Sequence, residues 1–107
     1  MKFLHVGIPT EHKSEHKLYS YVEKIKLHVT NPNEHALKLQ FVWAEPDSPL
    51  PDIVKNEHHI SIQVDDIEEA VKQFDYIAFP PISLSDTLKI SFAVREGVLF
   101  ELMQMGV

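Results

Sequence analysis

Between His59 and Phe74 the hydrophobic period changes from two residues to about 3.6 without a break. His59, Ser61 and Gln63 alternate with Ile60, Ile62 and Val64, which predicts a strand with one polar face, headed by a histidine, and one apolar face. Asp65 or Asp66 can then cap a helix in which Ile67, Ala70, Val71 and Phe74 recur at i, i+3, i+4 and i+7. A strand running straight into an amphipathic helix can be covered by that helix on its apolar side only. The side carrying His59 must face something else.

The head of this strand has a counterpart 54 positions earlier: His5-Val6-Gly7-Ile8 matches His59-Ile60-Ser61-Ile62 as histidine, apolar, small, apolar. That likeness points to an internal repeat. Strand 3–8 of the first copy is followed by a stretch, 10–22, whose only apolar patch is Leu18, Tyr21 and Val22, enough for one or two helical turns at most. Alternation over 23–30 (Ile25, Leu27 and Val29 against Lys24, Lys26 and His28) predicts a half-buried strand. Asn31-Pro32-Asn33 is turn chemistry, and 36–44 is a third strand, with Leu37, Leu39, Phe41 and Trp43 on one face and Lys38, Gln40 and Val42 on the other. The proline-dense stretch within 45–57 reads as a connector. In the second half, 76–79 is a strand stopped by Pro80-Pro81, 82–87 is loop or edge, and Arg95-Glu96-Gly97 turns a hairpin between 88–94 and 98–105. The predicted fold class is α+β: two βαβββ modules, about 1–44 and 58–107, forming a curled mixed sheet within one domain, with the first helix reduced.

A formal charge of −6 without a basic patch argues against a nucleic-acid surface. No run approaches the length of a membrane span, and His5 and Pro9 interrupt any signal-like apolar stretch, so a cytoplasmic protein is expected. With no cysteine, any metal must be held by His, Asp, Glu or Gln.

The segments Leu4 to Ile8, Leu39 to Val42 with Asp47-Ser48-Pro49, His58 to Val71, and Gly97-Val98-Leu99-Phe100-Glu101-Leu102, in this order, resemble the vicinal oxygen chelate superfamily of glyoxalases, epimerases, dioxygenases and bleomycin-binding proteins. The pairing of His58-His59 and Val64-Asp65-Asp66-Ile67 with the terminal Gly-Val-Leu-Phe-Glu-Leu is most similar to the methylmalonyl-CoA epimerase branch. The resemblance implies a half-barrel around one divalent metal held by His5, Gln40, His59 and Glu101, two ligands from each module. It further implies a lyase, isomerase or epimerase that binds two neighbouring oxygens of a small substrate and stabilises an enolate.

The residues themselves agree with that ligand set. Gln40 and His59 lie on the less apolar faces of their strands, and Glu101 shares a face with Leu99 and Met103, where an unpaired carboxylate is costly. Two imidazoles, an amide oxygen and one carboxylate suit Co²⁺, Ni²⁺, Zn²⁺, Mn²⁺ or Fe²⁺. Glu101 and His28 are the candidates for proton transfer. Taken singly each residue has a plainer reading: a structural or exposed histidine, a glutamate paired with Arg95 or Lys89. His12, His16 and His35 read as solvated, and His58 as the neighbour facing away from His59. Two other functions use the same fold: a non-catalytic binding protein for an antibiotic-type ligand, and an interaction module whose histidines are relics. No basic, glycine-rich surface suits a coenzyme A tail, so a small substrate is expected. A homodimer is expected as well, because a reduced first helix leaves Leu37, Leu39, Phe41 and Trp43 uncovered.

Overall fold

The computed structural model describes residues 1–106. The chain forms strands β1 (Lys2–Pro9), β2 (Ser20–Val22), β3 (Leu27–Val29), β4 (Leu39–Ala44), β5 (His59–Gln63), β6 (Tyr76–Ser85), β7 (Leu88–Arg95) and β8 (Val98–Met105). Two short helices join them, α1 (Asp52–Asn56) and α2 (Ile67–Ala70). All strands belong to one mixed sheet in the order β2-β3-β4-β1-β5-β8-β7-β6. At its centre β1 and β5 are antiparallel, while β1 runs parallel to β4 and β5 parallel to β8. The sheet curls into a half-barrel whose ends meet. Lys24 Nζ, next to β2, donates to the Ser83 carbonyl of β6 at 2.6 Å, and Ile25 and Leu27 share one core with Ile90 and Phe92.

The period-two pattern of β5 divides its residues between two environments. Ile62 and Val64 pack with Ile67 and Ala70 of α2 in a second core, outside the sheet, and His59 and Ser61 are buried on the concave side. Asp66 caps α2 as expected: its carboxylate accepts from the backbone N–H of Glu68 and Glu69. The helix is one turn long and tightens into a 3-10 turn over Val71–Gln73.

Four expectations change. No helix forms over 10–19; the segment instead lies along the outer face of β4, where the Trp43 indole N–H donates to the Glu11 carbonyl at 2.9 Å and the Lys17 ammonium stands 4.4 Å from the Phe41 ring centre. The face expected to be open for a partner is thus partly covered from within, leaving Leu37 74 % exposed. The strand expected over 23–30 is a hairpin: β2 and β3 pair antiparallel, and Glu23–Ile25 with left-handed Lys26 (φ 48°) makes the turn between them. Stretch 45–57 is more than a connector, since Ser48, Leu50 and Val54 are buried and the latter two join the concave core. Lastly, β6 runs through Pro80-Pro81. It lies at the sheet edge, where a missing N–H leaves no ladder bond unmade, and its register shifts around the prolines.

The β7–β8 hairpin closes on Glu96 and Gly97, both at positive φ (54° and 77°), with Arg95 opposite Val98. That is the two-residue turn whose twist matches its strands. Among the described residues no helix is long and apolar enough to cross a membrane.

Candidate metal centre

Strand register assembles two rows across the centre of the sheet. Gln40, Gly7 and His59 stand side by side on β4, β1 and β5. His5, Ser61 and Glu101 stand side by side on β1, β5 and β8. Positions 5 and 7, like 59 and 61, are two apart and so share a face, the concave one. Each row therefore has a small residue at its middle and long polar residues at its ends. Gly7 is needed for this arrangement: a Cβ there would lie 2.1 Å from both Cε1 and Nε2 of His59, so the imidazole lies where any other side chain would begin.

The rows converge. Glu101 Oε1 lies 3.6 Å from His5 Nε2 and 3.7 Å from His59 Nε2, and one ligand atom from each residue falls within 4.8 Å of the others. All three side chains are buried. Among the described residues, His5 Nε2, Glu101 Oε1 and both ring nitrogens of His59 have no hydrogen-bond partner. Leaving a buried polar atom unpartnered costs about 1–3 kcal/mol, so such a cluster persists only where something else satisfies it. Donors that ligate one ion at about 2.0–2.2 Å stand about 3–3.5 Å apart, close to the 3.6 and 3.7 Å by which the two imidazoles stand from Glu101. His5, His59 and Glu101 therefore form a buried group able to hold a metal ion.

The electrostatics favour the ligating forms. Burial pushes the His59 imidazole below its ordinary pKa, against the pull of Glu101, which keeps the ring neutral. Burial pushes the Glu101 carboxyl up, but His5 first, then His59 and the Ser61 hydroxyl, more than offset it, so its pKa lies below the usual value. Metal ligation needs a neutral imidazole and an ionised carboxylate, the forms these shifts favour. The His59 ring is held edge-on against Phe92, centroids 5.3 Å apart, and the Ser61 hydroxyl donates to Met103 Sδ at 3.0 Å.

Gln40, half-buried, lines the same cavity as these three residues, from β4 on the far side of Gly7. His28 does not reach it. Leu27 and Val29 of β3 line the cavity, so His28 between them points to the outer face, where its ring lies 4.6 Å from that of Tyr21 and 5.1 Å from that of Trp43, with Nε2 3.3 Å from Glu45 Oε1. His28 is therefore not placed to move a proton in this cavity, contrary to the expectation. His58, His12 and His16 are exposed, as expected; His35 is half-buried and accepts the Leu37 N–H at Nδ1. The structural roles of Gly7, Ser61 and Phe92 were not anticipated, although the small residue two places after each histidine was the visible signal for the first two. In comparisons with known proteins, the chain matches no family model and no curated sequence.

Proposed function

We propose that this chain is a divalent-metal-dependent enzyme of the vicinal oxygen chelate type, a lyase or isomerase that moves a proton on a carbon next to a carbonyl of a small oxygenated substrate. The observation that carries this reading is the convergence of His5 Nε2, His59 Nε2 and Glu101 Oε1, buried and without hydrogen-bond partners. Gln40 is the proposed fourth ligand, from the same cavity wall. His5, His59, Glu101 and Gln40 would hold a divalent ion with one anionic ligand, which would supply Lewis acidity and a net charge of about +1. The rings of His5 and His59 are buried, and the remaining wall around them is aliphatic or thioether. Glu101 would be the proton-transfer group in this reading once it leaves the ion, because it is the one carboxylate among the described residues lining the cavity. Co²⁺, Ni²⁺, Zn²⁺, Mn²⁺ and Fe²⁺ all suit such a ligand set.

The proposed duplication is supported by connectivity. Read outward from the centre, the order β1-β4-β3-β2 mirrors β5-β8-β7-β6. His5, Gly7 and Gln40 then correspond to His59, Ser61 and Glu101.

Metal analysis of untagged protein tests the reading. We expect about one ion per chain, with affinity lowered at least a hundredfold by His5→Ala, His59→Ala or Glu101→Ala, since even outer-shell changes cost up to about that much. Substoichiometric metal, indifferent to these substitutions, overturns it. For the catalytic part, exchange of substrate C–H for deuterium from solvent should require the ion.

A further inference from the structure

Resting on the metal-centre reading above, we propose that the substrate is a short-chain aliphatic compound with two neighbouring oxygens at one end and an uncharged, non-aromatic chain of about two or three carbons in all. The cavity over His5, His59 and Glu101 has a volume of about 120 Å³. A dry apolar cavity of about 150 Å³ accommodates benzene, so this one takes about five non-hydrogen atoms, fewer than an aryl ring with a chelating group.

The distribution of polarity is as restrictive as the size. The hydrogen-bonding side chains among the lining residues are the four proposed ligands. The remaining wall is aliphatic or thioether, with Ile25, Leu27 and Val42 from the first half of the chain and Leu84, Leu88 and Ile90 from the second. Among the described residues, no lysine, arginine, serine or threonine lines it. A carboxylate, phosphate or hydroxyl on the tail would therefore be buried without a partner, which weakens binding at least tenfold for a neutral group and more for a charged one. The anionic end of a substrate must be its chelating end.

Leu84 and Leu88 set the tail length in this proposal. They approach the site from the far edge of the sheet and are only partly buried, so trimming them enlarges the cavity without emptying the core.

Hydroxamates, which chelate through two adjacent oxygens, provide the test. Protein loaded with Co²⁺ is titrated with aceto-, butyro-, octano- and benzohydroxamate and with succinic acid monohydroxamate, and binding is read from the cobalt absorption spectrum. We expect the tightest binding for the two-carbon chain, at least tenfold weaker binding for the phenyl, eight-carbon and carboxylate-tailed probes, and a shift of the optimum toward the four-carbon chain in Leu84→Ala/Leu88→Ala. In metal-free protein, 2-butanone should move the methyl NMR signals of Leu84, Leu88 and Ile90, and phenol should not. Equal affinity for all chains, or preference for the aromatic or charged tail, overturns the substrate class while leaving the metal centre standing. Failure to take up Co²⁺ overturns the metal centre and this proposal together.

Discussion

At Gly7 the chain leaves room for a ring. Any Cβ would stand 2.1 Å from the His59 imidazole, so Gly7→Ala must either displace that ring or push β1 from β5. Overpacking of this kind costs about 1–3 kcal/mol. We expect Gly7→Ala to lose that much stability in urea denaturation and to lose metal uptake as well; wild-type values for both would show that the ring has another place to go. Ser61 fills the equivalent place in the other row, and its hydroxyl is tied to Met103. Residue identity at these two positions was legible as "small after histidine". Its meaning was not, because only the neighbouring strand reveals what the missing side chain makes room for.

Elements with strong local chemistry were legible in advance. The turn at Glu96-Gly97 and the cap of α2 both follow from a few adjacent residues, whatever the rest of the chain does. Because α2 has a single α-helical turn, its cap carries a large share of its stability: Asp66→Ala is expected to cost about 1 kcal/mol. The change should appear as a lower urea midpoint with an unaltered m-value, and as faster amide exchange at Glu68 and Glu69, the two N–H groups that lose their acceptor. Unchanged exchange at those two amides would contradict the capping role. The β2–β3 turn was illegible for the opposite reason. Its residues, Glu23, Lys24, Ile25 and Lys26, include no glycine, proline or asparagine, and Ile25, Leu27 and Val29 keep their alternation straight through it. The turn is held by the stretch that follows β4, where the Glu45 N–H donates to the Lys26 carbonyl at 3.0 Å and the Ser48 hydroxyl to the Ile25 carbonyl at 2.5 Å.

For the molecule as a whole, the buried His5, His59 and Glu101 group, with no ion bound, is a pH-dependent weak point. His59 has a pKa lowered from 6.5, chiefly by burial. Glu101 has one lowered from 4.5 because the neighbouring imidazoles outweigh its burial. In both cases the unfolded chain binds the proton more tightly than the folded chain, so acid favours unfolding. The metal-free protein should be most stable above about pH 6.5, lose stability below that as unfolded His59 becomes protonated, and lose more below about 4.5 through Glu101. Urea denaturation across that range measures it, and Glu101→Gln should flatten the lowest limb. A stability that rises on acidification would mean that His59 is held protonated in the fold.

The sequence by itself determined the strands that carry His5, Gln40, His59 and Glu101, the side of the strand on which each lies, the capped helix behind β5, and the small residue in each row. These are properties of neighbours a few positions apart, and alternation or capping encodes them directly. Only the tertiary structure decided which of the two faces is concave, that segment 10–19 stands in for a helix, that Leu50 and Val54 complete the core, and that His28 looks outward. Each of these depends on strands distant in sequence lying side by side and on a sheet curled far enough for Lys24 to meet Ser83. Periodicity states that a residue has a side; long-range pairing and curvature state what that side encloses.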